Sequence, residues 1–420
     1  MQKRLHLLVV LLAFVVSTAM AQITTSGISG KVTSDNESVI GATVTAIHQS
    51  SGTVYRAVTN IDGRYTIQGM RPGGPYKVEV SYIGYKDKSV NNVSLSLGET
   101  TNLTFSLKED AHQLQEVVVA GKAGLAASRT GAATSMNAEQ INNMPSITHG
   151  IADVARLNPQ LTVTNSGNMS FAGTNNRYNN FMIDGAANND VFGLASSGNN
   201  GGQAGAQPVS METIEQIQVS VAPFDVRQSG FTGGAINAIT KSGTNKFHGS
   251  AYYYGYNQDL IGTKYPYLDG TGYAPKYQKQ TQYNMGVTLG GPIIKNKLFF
   301  FANYERTNKE YPNLYGVDSG NSKVNTEQAK DIMNMLQKMA EKQGVAFNDY
   351  FSNQDIYTKS DKAGLKLDWN INEFNKFAIR WSLVKAEQLS GGGSASSLNT
   401  YTYSYPFKSN TNSFIAELQS

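Results

Sequence analysis

Apolar and polar residues alternate along six segments after Lys246, at the two-residue period of a β-strand with one apolar face. In KAGLKLDWN, Lys366 lies opposite Leu365, and in KFAIRWSL, Arg380 lies opposite Ile379. Charged residues on one face exclude a dry sandwich core, since an unpaired buried charge is costly. Apolar residues facing lipid and polar residues facing a lumen fit the wall of a transmembrane β-barrel. The predicted strands lie near 247–257, 281–291, 298–308, 359–370, 376–387 and 410–420, and their polar face includes Lys362, Lys366, Asp368 and Arg380.

The connections between these strands alternate between long and short. The short ones are PIIKNK and INEFN, and the long ones lie at about 258–280, 309–357 and 388–409. Because outer-membrane barrels have short periplasmic turns and longer outer loops, we expect the first strand to run outward from the periplasm.

The long loop after the third strand contains a helical pattern, NTEQAKDIMNMLQKMAEKQG. Its apolar positions fall on one helical face and its charges on the other. We interpret this helix as a loop element packed on its neighbours rather than one that grips a ligand. The apolar face consists of Ile332, Met335, Leu336 and Met339.

Aromatic residues at the strand ends, such as Trp369 and Tyr252-Tyr253-Tyr254, suit the interfacial girdles of a membrane barrel. Six strands cannot close such a barrel, because the smallest single-chain barrels have eight. We therefore expect the chain to be the N-terminal part of a larger protein.

Short strands separated by turn residues fill the region from Ser26 to about Glu109 and predict a small antiparallel sandwich of seven strands. Asp62-Gly63 is a tight-turn signal. The residues Gly30-Lys31-Val32, Ile40-Gly41-Ala42-Thr43-Val44, Thr59, Asp62-Gly63 and Tyr65 resemble the carboxypeptidase regulatory-like family. That resemblance implies a transthyretin-like, non-catalytic β-sandwich.

The region from Ala123 to about Asn245 is rich in Gly, Asn, Ser and Thr, with two short helical patterns and several short strands. Its segments Met169 to Asp190 and Gly230 to Asn245 resemble the plug domain of TonB-dependent outer-membrane receptors. The resemblance implies an α+β fold. The residues that carry it are Asp184, Gly185, Gly233, Gly234 and Asn237.

The stretch GGPIIKNKLFFFANYE, Gly290 to Glu305, resembles the SusC-like and Oar-like branches of the same superfamily, known from the Bacteroidetes. The family implies a 22-stranded barrel in the outer membrane and active import of a nutrient, such as an oligosaccharide, a peptide or a chelate. Its implied partners are TonB with the inner-membrane energising complex, the nutrient and a surface lipoprotein. The alternative is a structural or adhesive barrel protein that does not transport.

The segment LQEVVVAGK precedes the plug-like region, and its three valines are too few for a helix and do not alternate. In TonB-dependent receptors a short acidic and β-branched segment at this place, the TonB box, adds as a strand to TonB. We therefore interpret Glu116, Val117, Val118 and Val119 as a TonB box, since β-augmentation needs an extended segment with free backbone groups. The alternative is a last sandwich strand or a linker packed on the plug.

The N-terminus has the three regions of a secretory signal: Lys3 and Arg4, an apolar run from Leu7 to Val16, and Ala19-Met20-Ala21. Cleavage before Gln22 lowers the formal charge from +4 to +2, which gives no reason to expect a nucleic-acid partner. The chain has no Cys, so an exported product is held by packing and hydrogen-bonded sheet rather than by disulfides.

Catalytic motifs for zinc hydrolysis, nucleotide binding or a serine nucleophile are absent from the sequence, so we predict no enzyme and no cofactor. Asp184 could be a catalytic carboxylate, but we interpret it as a turn residue beside Gly185. Asp184, Asp190 and Asp225 match no calcium loop, so no metal is predicted.

The sequence thus predicts a mainly β protein in the outer membrane with five parts. They are a signal peptide (1–21), a regulatory-like sandwich (22–110), a TonB-box-like linker (111–122), a plug (123–245) and the first six or so strands of an incomplete barrel (246–420).

Overall fold

The computed structural model describes thirteen stretches of the chain, separated by gaps. They are residues 23–35, 37–109, 132–146, 149–164, 169–190, 192–195, 197–221, 232–260, 279–313, 315–317, 324–346, 355–390 and 404–420. We call residues 23–109 the sandwich, residues 132–240 the middle segment and residues 248–420 the meander.

The sandwich consists of two sheets that enclose one apolar core. The strands are β1 (Ser26–Ser34), β2 (Glu37–Ser38), β3 (Thr43–His48), β4 (Thr53–Val58), β5 (Arg64–Met70), β6 (Gly73–Ser81), β7 (Lys88–Leu95), β8 (Thr100–Asn102) and β9 (Phe105–Ser106). One sheet has the order β4-β3-β6-β7, and the other has the order β2-β1-β5 with β8 and β9 paired to β1. Alternate residues of these strands, such as Val44 and Ala46 in β3, are fully buried, as the two-residue period requires.

One feature of the sandwich differs from the prediction of a purely antiparallel fold. Strands β8 and β9 run parallel to β1. After β7 the chain crosses to the other sheet and returns along β1 in the same direction, which a tight hairpin cannot do. The predicted turn at Asp62-Gly63 is present: Gly63 has a φ of 71° and its N–H donates to the Asn60 carbonyl at 2.9 Å.

The middle segment is built around a five-stranded sheet of order β10-β15-β16-β13-β14. Its elements are β10 (Ala132–Asn137), α1 (Ala138–Asn142), α2 (Ile151–Ala155), β11 (Leu161–Val163), β12 (Met169–Phe171), β13 (Asn180–Ile183), β14 (Ala186–Ala187), β15 (Ile214–Val221) and β16 (Gly234–Thr240). Helix α1 begins after Asn137, whose side chain accepts from the Gln140 N–H in a capping box. Strands β13 and β16 are parallel neighbours and both are wholly buried.

The meander is a six-stranded antiparallel sheet in which each strand pairs with the next along the chain. Its strands are β17 (His248–Asn257), β18 (Thr281–Ile294), β19 (Leu298–Tyr311), β20 (Ile356–Asn370), β21 (Lys376–Ser390) and β22 (Tyr405–Gln419). Five of them reach 14 or 15 residues, so they extend beyond the alternating stretches that predicted them.

The two faces of the meander are inverted relative to a water-soluble sheet. Apolar side chains on the outer face are exposed, for example Val287 at 53% and Phe414 at 73%. Charged side chains on the inner face are buried against the middle segment: Glu305 is 3% exposed and Arg380 is 8% exposed. This is the pattern of a membrane barrel wall, and it confirms the predicted mainly β fold class with its first barrel strands.

Two predictions about the meander are wrong. Helix α3 (Thr326–Gln343) forms where predicted, but its apolar face does not pack on neighbouring described residues, since Met335 is 63% exposed and Met339 is 53% exposed. Tyr252 and Tyr254 do not belong to an outer aromatic girdle, because they point inward and contact the middle segment. Within the described ranges, no helix is long and apolar enough to cross a membrane.

Candidate functional site

The turn between β13 and β14 connects the middle segment to the inner face of the meander. Its two residues, Asp184 and Gly185, have φ angles of 46° and 78°, as a two-residue hairpin turn with both central residues left-handed requires. Ile183 pairs with Ala186 on either side of the turn. The tight turn therefore places the Asp184 carboxylate at the edge of the middle segment, facing the inner side of the meander, which we also call the wall.

The Asp184 carboxylate is surrounded by hydrogen-bond donors and cations. Thr240 donates its backbone N–H to Oδ1 at 2.8 Å and its hydroxyl to Oδ2 at 2.6 Å. From the wall, Arg380 Nη1 lies 3.0 Å from Oδ2 and Lys366 Nζ lies 3.8 Å from Oδ1. Lys366 also donates to the Thr240 carbonyl at 3.2 Å. We call Asp184, Thr240, Lys366 and Arg380 the Asp184 cluster.

The chemistry of this cluster is that of an electrostatic anchor. Burial alone would raise the pKa of Asp184, but the Lys366 and Arg380 cations and the Thr240 donors hold that pKa below its ordinary value. The carboxylate is therefore charged at neutral pH and accepts hydrogen bonds without donating a proton. A carboxylate that stays charged can hold the middle segment to the meander. It is not suited to be a general acid, which needs a pKa near the working pH.

A second ionic group lies further along the same inner face, at Glu305 of β19. Its carboxylate accepts from Lys362 Nζ of β20 at 2.6 Å and from the Tyr252 hydroxyl of β17 at 2.6 Å. The middle segment contributes Ser210, whose hydroxyl donates to Glu305 at 2.6 Å. Three wall strands and the middle segment thus meet at one buried carboxylate.

A third contact joins Glu212 and His149 of the middle segment to Tyr254 of the wall. The His149 ring stacks on the Tyr254 ring with centroids 4.2 Å apart, and His149 Nε2 lies 3.5 Å from Glu212 Oε1. His149 holds the pKa of Glu212 below its ordinary value, although partial burial acts in the opposite direction. The middle segment is therefore joined to the meander by polar contacts at three places, around Asp184, Glu305 and Glu212.

The structure brings together the residues that carried the plug resemblance. Asp184 and Gly185 follow β13, and Gly233, Gly234 and Asn237 lie at or in the parallel neighbour β16. A Cβ atom at Gly234 would lie 2.3 Å from the Phe171 ring, so only glycine fits there. Asn237 Nδ2 donates to the Ile23 carbonyl of the sandwich at 2.7 Å.

The predicted TonB box, Glu116 to Val119, lies outside the described residues, as does the predicted signal peptide. It stays a prediction. Of the acidic residues considered for calcium, Asp225 also lies outside them. The Asp190 carboxylate accepts backbone N–H groups from Phe192 and Ala195, which offset the effect of its burial and hold its pKa below the ordinary value.

Sequence reasoning missed most of the contacting residues, although one signal was available. Lys362, Lys366 and Arg380 were expected on the polar inner face, where charged residues in a buried wall need partners. The identity of those partners, Glu305 and Asp184, depends on how the middle segment sits inside the wall.

Three family models match consecutive parts of the chain. The carboxypeptidase regulatory-like domain matches residues 27–108, the TonB-dependent receptor plug domain matches residues 126–236, and an outer membrane beta barrel domain matches residues 239–319. Together they cover the sandwich, the middle segment and the first part of the meander.

Similar proteins include the TonB-dependent transporter Oar of Myxococcus xanthus, which is 29% identical over 259 residues, 59% of this chain and 23% of Oar. A probable TonB-dependent siderophore receptor, PirA of Acinetobacter baumannii, is 31% identical over 102 residues, 24% of this chain and 11% of PirA. The outer membrane transporter YddB of Escherichia coli is a structural neighbour with 14% identity and a TM-score of 0.48, over 68% of this chain and 36% of YddB. The chain thus spans about a quarter or less of the length of these two sequence relatives.

Proposed function

Because this chain belongs to the TonB-dependent receptor family, which is non-enzymatic and resides in the outer membrane, we propose that it imports a nutrient through a barrel that its plug closes. The middle segment is the plug and the meander is the start of the barrel wall. We propose the domain bounds that the sequence predicts: the sandwich at 22–110, the TonB-box linker at 111–122, the plug at 123–245 and the barrel from 246 onward.

The observation that carries this proposal is how the plug is held. Its apolar core consists of residues between Met136 and Ala238 and includes no wall residue. Among the described residues, the polar contacts with the wall run through the Asp184, Glu305 and Glu212 groups, and a small apolar cluster joins Ala204 of the plug to Val384 of the wall. A plug with its own core and polar fastenings can shift without losing that core, because polar groups exchange a protein partner for water at small net cost.

The contacts of the sandwich support the proposed orientation. The short turn between β20 and β21 contacts the sandwich through an Arg56–Glu373 ion pair and an Asn370–Thr53 hydrogen bond of 2.9 Å. The sandwich follows an export signal and precedes the plug, so we assign it and the short turns to the periplasm. The long connections then lie outside, where a nutrient arrives.

Energy for import would come from TonB and its inner-membrane complex, acting on Glu116 to Val119. An extended segment of this kind binds by adding a strand to its partner, at about 1 kcal/mol net per backbone hydrogen bond. Capture would be weak and reversible, as repeated pulling requires.

The nutrient class that we propose follows the resemblance: an oligosaccharide, a peptide or a chelate. Oar is named a TonB-dependent transporter and PirA a probable TonB-dependent siderophore receptor, so both names agree with TonB-dependent import. A surface lipoprotein would be a second partner, as in SusC-like systems.

A growth screen followed by a matched pair of variants tests the proposal. A strain lacking the receptor gene is first grown on single carbon, nitrogen and iron sources to find the one on which growth is lost. The full receptor with Val118→Pro should not restore that growth, because proline removes a backbone donor and fixes φ. Val118→Ala keeps the backbone bonds and should restore it.

Two outcomes would count against import. If deletion abolishes attachment to surfaces but no growth phenotype appears, the alternative of a structural or adhesive barrel is favoured. If Val118→Pro grows as well as Val118→Ala, the segment is a linker and not a TonB box.

A further inference from the structure

One end of the sandwich lies directly beneath the plug. This end includes the β3–β4 turn around Gly52 and the β7–β8 connection around Leu97. The opposite end, which includes Ile83, is exposed. The sandwich therefore presents one particular end to the rest of the molecule.

The contact with the plug combines an apolar centre with specific hydrogen bonds. Leu97 is fully buried in a cluster with Ile23 and Ile239, separate from the sandwich core. The Leu97 N–H donates to Gln216 Oε1 at 2.9 Å, and its carbonyl accepts from Gln218 Nε2 at 3.0 Å. A side chain buried outside its own domain's core indicates a built interface rather than a chance approach.

The contact with the wall is made at its short turns and strand ends. Asn245, in the connection that leads from the plug into β17, donates its N–H to the Ser50 carbonyl at 2.9 Å. Lys376 Nζ lies 4.0 Å from the centre of the Tyr55 ring, a cation–π distance. Thr24 donates its hydroxyl to Glu417 at 2.7 Å.

The sandwich also closes the space below the Asp184 cluster. A cavity of about 120 Å³ lies between the three bodies. Thr53, Tyr55 and Arg71 of the sandwich line it on one side, and Asp184, Lys366 and Arg380 line it on the other. A path opened by moving the Asp184 turn would lead into this cavity, and the sandwich would block its continuation.

We propose that the sandwich is a periplasmic cap that docks on the plug and the short turns, holds the plug closed, and has to undock before a solute leaves the barrel. The proposal rests on the import function proposed above and adds the surface by which import is restrained. Its partner is the plug and wall of the same chain.

The docking surface can be tested by a disulfide, since the chain has no Cys of its own. A Cβ atom on Gly52 would lie 3.0 Å from Asn296 Cγ, so Cβ atoms at these positions come within reach of the usual disulfide separation of about 3.5–4.5 Å. The full-length variant Gly52→Cys/Asn296→Cys, oxidised in isolated membranes, should shift on a non-reducing gel and revert with reductant. The two single variants control for the left-handed backbone at both positions.

A further substitution shows whether the crosslink reports docking. Leu97→Asp in the double-cysteine receptor should lower the crosslinked fraction several-fold, because it places a charge in the apolar centre while sparing the sandwich core. Ile83→Asp also replaces an aliphatic residue with aspartate, but at a position that is 94% exposed, so it should leave the crosslinked fraction unchanged. No crosslink, or equal yields for the two aspartate variants, overturns the docked arrangement.

Restraint of the plug is measured separately, as KCl conductance of purified receptor in planar bilayers during a urea titration. The oxidised double-cysteine receptor should need about 1 M more urea to conduct than after reduction, and Leu97→Asp should need less than Ile83→Asp. If conductance began at the same urea concentration before and after reduction, and in Leu97→Asp and Ile83→Asp, the sandwich would not restrain the plug. This conductance needs neither TonB nor a nutrient, so its failure is distinct from failure of the import proposal.

Discussion

Replacing Asp184 with Asn should unseat the plug, because it removes the only carboxylate of the Asp184 cluster and leaves its two buried cations. An ion pair at about 4 Å is worth roughly 4 kcal/mol at an effective dielectric constant of 20, and Asp184 faces cations at 3.0 Å and 3.8 Å. Much of that gain offsets desolvation. Breaking one side of such a buried group still costs about 3–5 kcal/mol, because the remaining charges lose their counter-charge.

The assay uses a single reporter cysteine in the plug. Ala204 is fully buried between the plug and Val384 and Ala386 of the wall, so Ala204→Cys should react with a maleimide when the plug leaves the wall or unfolds. For a urea dependence of about 1.5 kcal/mol per M, Asp184→Asn should lower the midpoint of labelling by about 2–3 M. Asp62→Asn makes the same change in the exposed Asp-Gly turn of the sandwich and should leave the midpoint in place.

A second substitution separates charge imbalance from simple loss of a hydrogen bond. Adding Arg380→Gln to Asp184→Asn removes one of the uncompensated cations and should recover part of the lost stability. A midpoint for Asp184→Asn equal to that of Asp62→Asn would refute the anchoring role. The anchoring role would also be refuted if adding Arg380→Gln to Asp184→Asn lowered the midpoint by as much as Arg380→Gln lowers it alone.

Three further predictions concern other parts of the chain. Gly234→Ala should destabilise the plug, since its Cβ would lie 2.3 Å from the Phe171 ring. The loss should be smaller in a Phe171→Ala background, which lacks the clashing ring carbons, when both pairs are compared in the same urea titration. Burial, with help from Arg71, lowers the pKa of His48 to about 3, so the unfolded sandwich takes up a proton first as pH falls. Stability of the isolated sandwich should therefore be level above about pH 6.5 and fall by about 1 kcal/mol per unit towards pH 4.5, a slope that His48→Gln should abolish. On intact cells, a membrane-impermeant maleimide should label Lys330→Cys in the long loop but not Asn372→Cys in the short turn; the reverse result would overturn the orientation.

The strands of the meander were predictable because a wall between lipid and a polar interior imposes a strict two-residue period. That period assigned Lys366 and Arg380 to the inner face and Ile379 to the outer face. Extended strand ends such as Tyr405 to Asn410 were missed, because hydrogen bonding to a neighbouring strand continues where the alternation is weak. The girdle assignment of Tyr252 and Tyr254 failed for a related reason: tyrosine suits both a membrane interface and a buried polar contact.

The Asp184-Gly185 turn shows where local reasoning stopped. The dipeptide predicts a tight turn, and the structure has one. The sequence does not reveal that Lys366 and Arg380, nearly 200 residues further along, face the same carboxylate. The alternation of the wall strands establishes only that cations point inward.

The sequence alone determined which segments form strands or helices and which residues of each wall strand face inward or outward. Its short local motifs also indicated the family. Local chemistry suffices for these, because backbone preferences and the burial of one face act over a few residues. Only the tertiary structure decided which charges meet, that Asn237 holds the Ile23 carbonyl, and that Leu97 is buried under the plug rather than in its own domain. Those contacts arise when separately folded bodies dock, and the free energy of docking depends on the shape and charge of both surfaces together, which no local pattern contains.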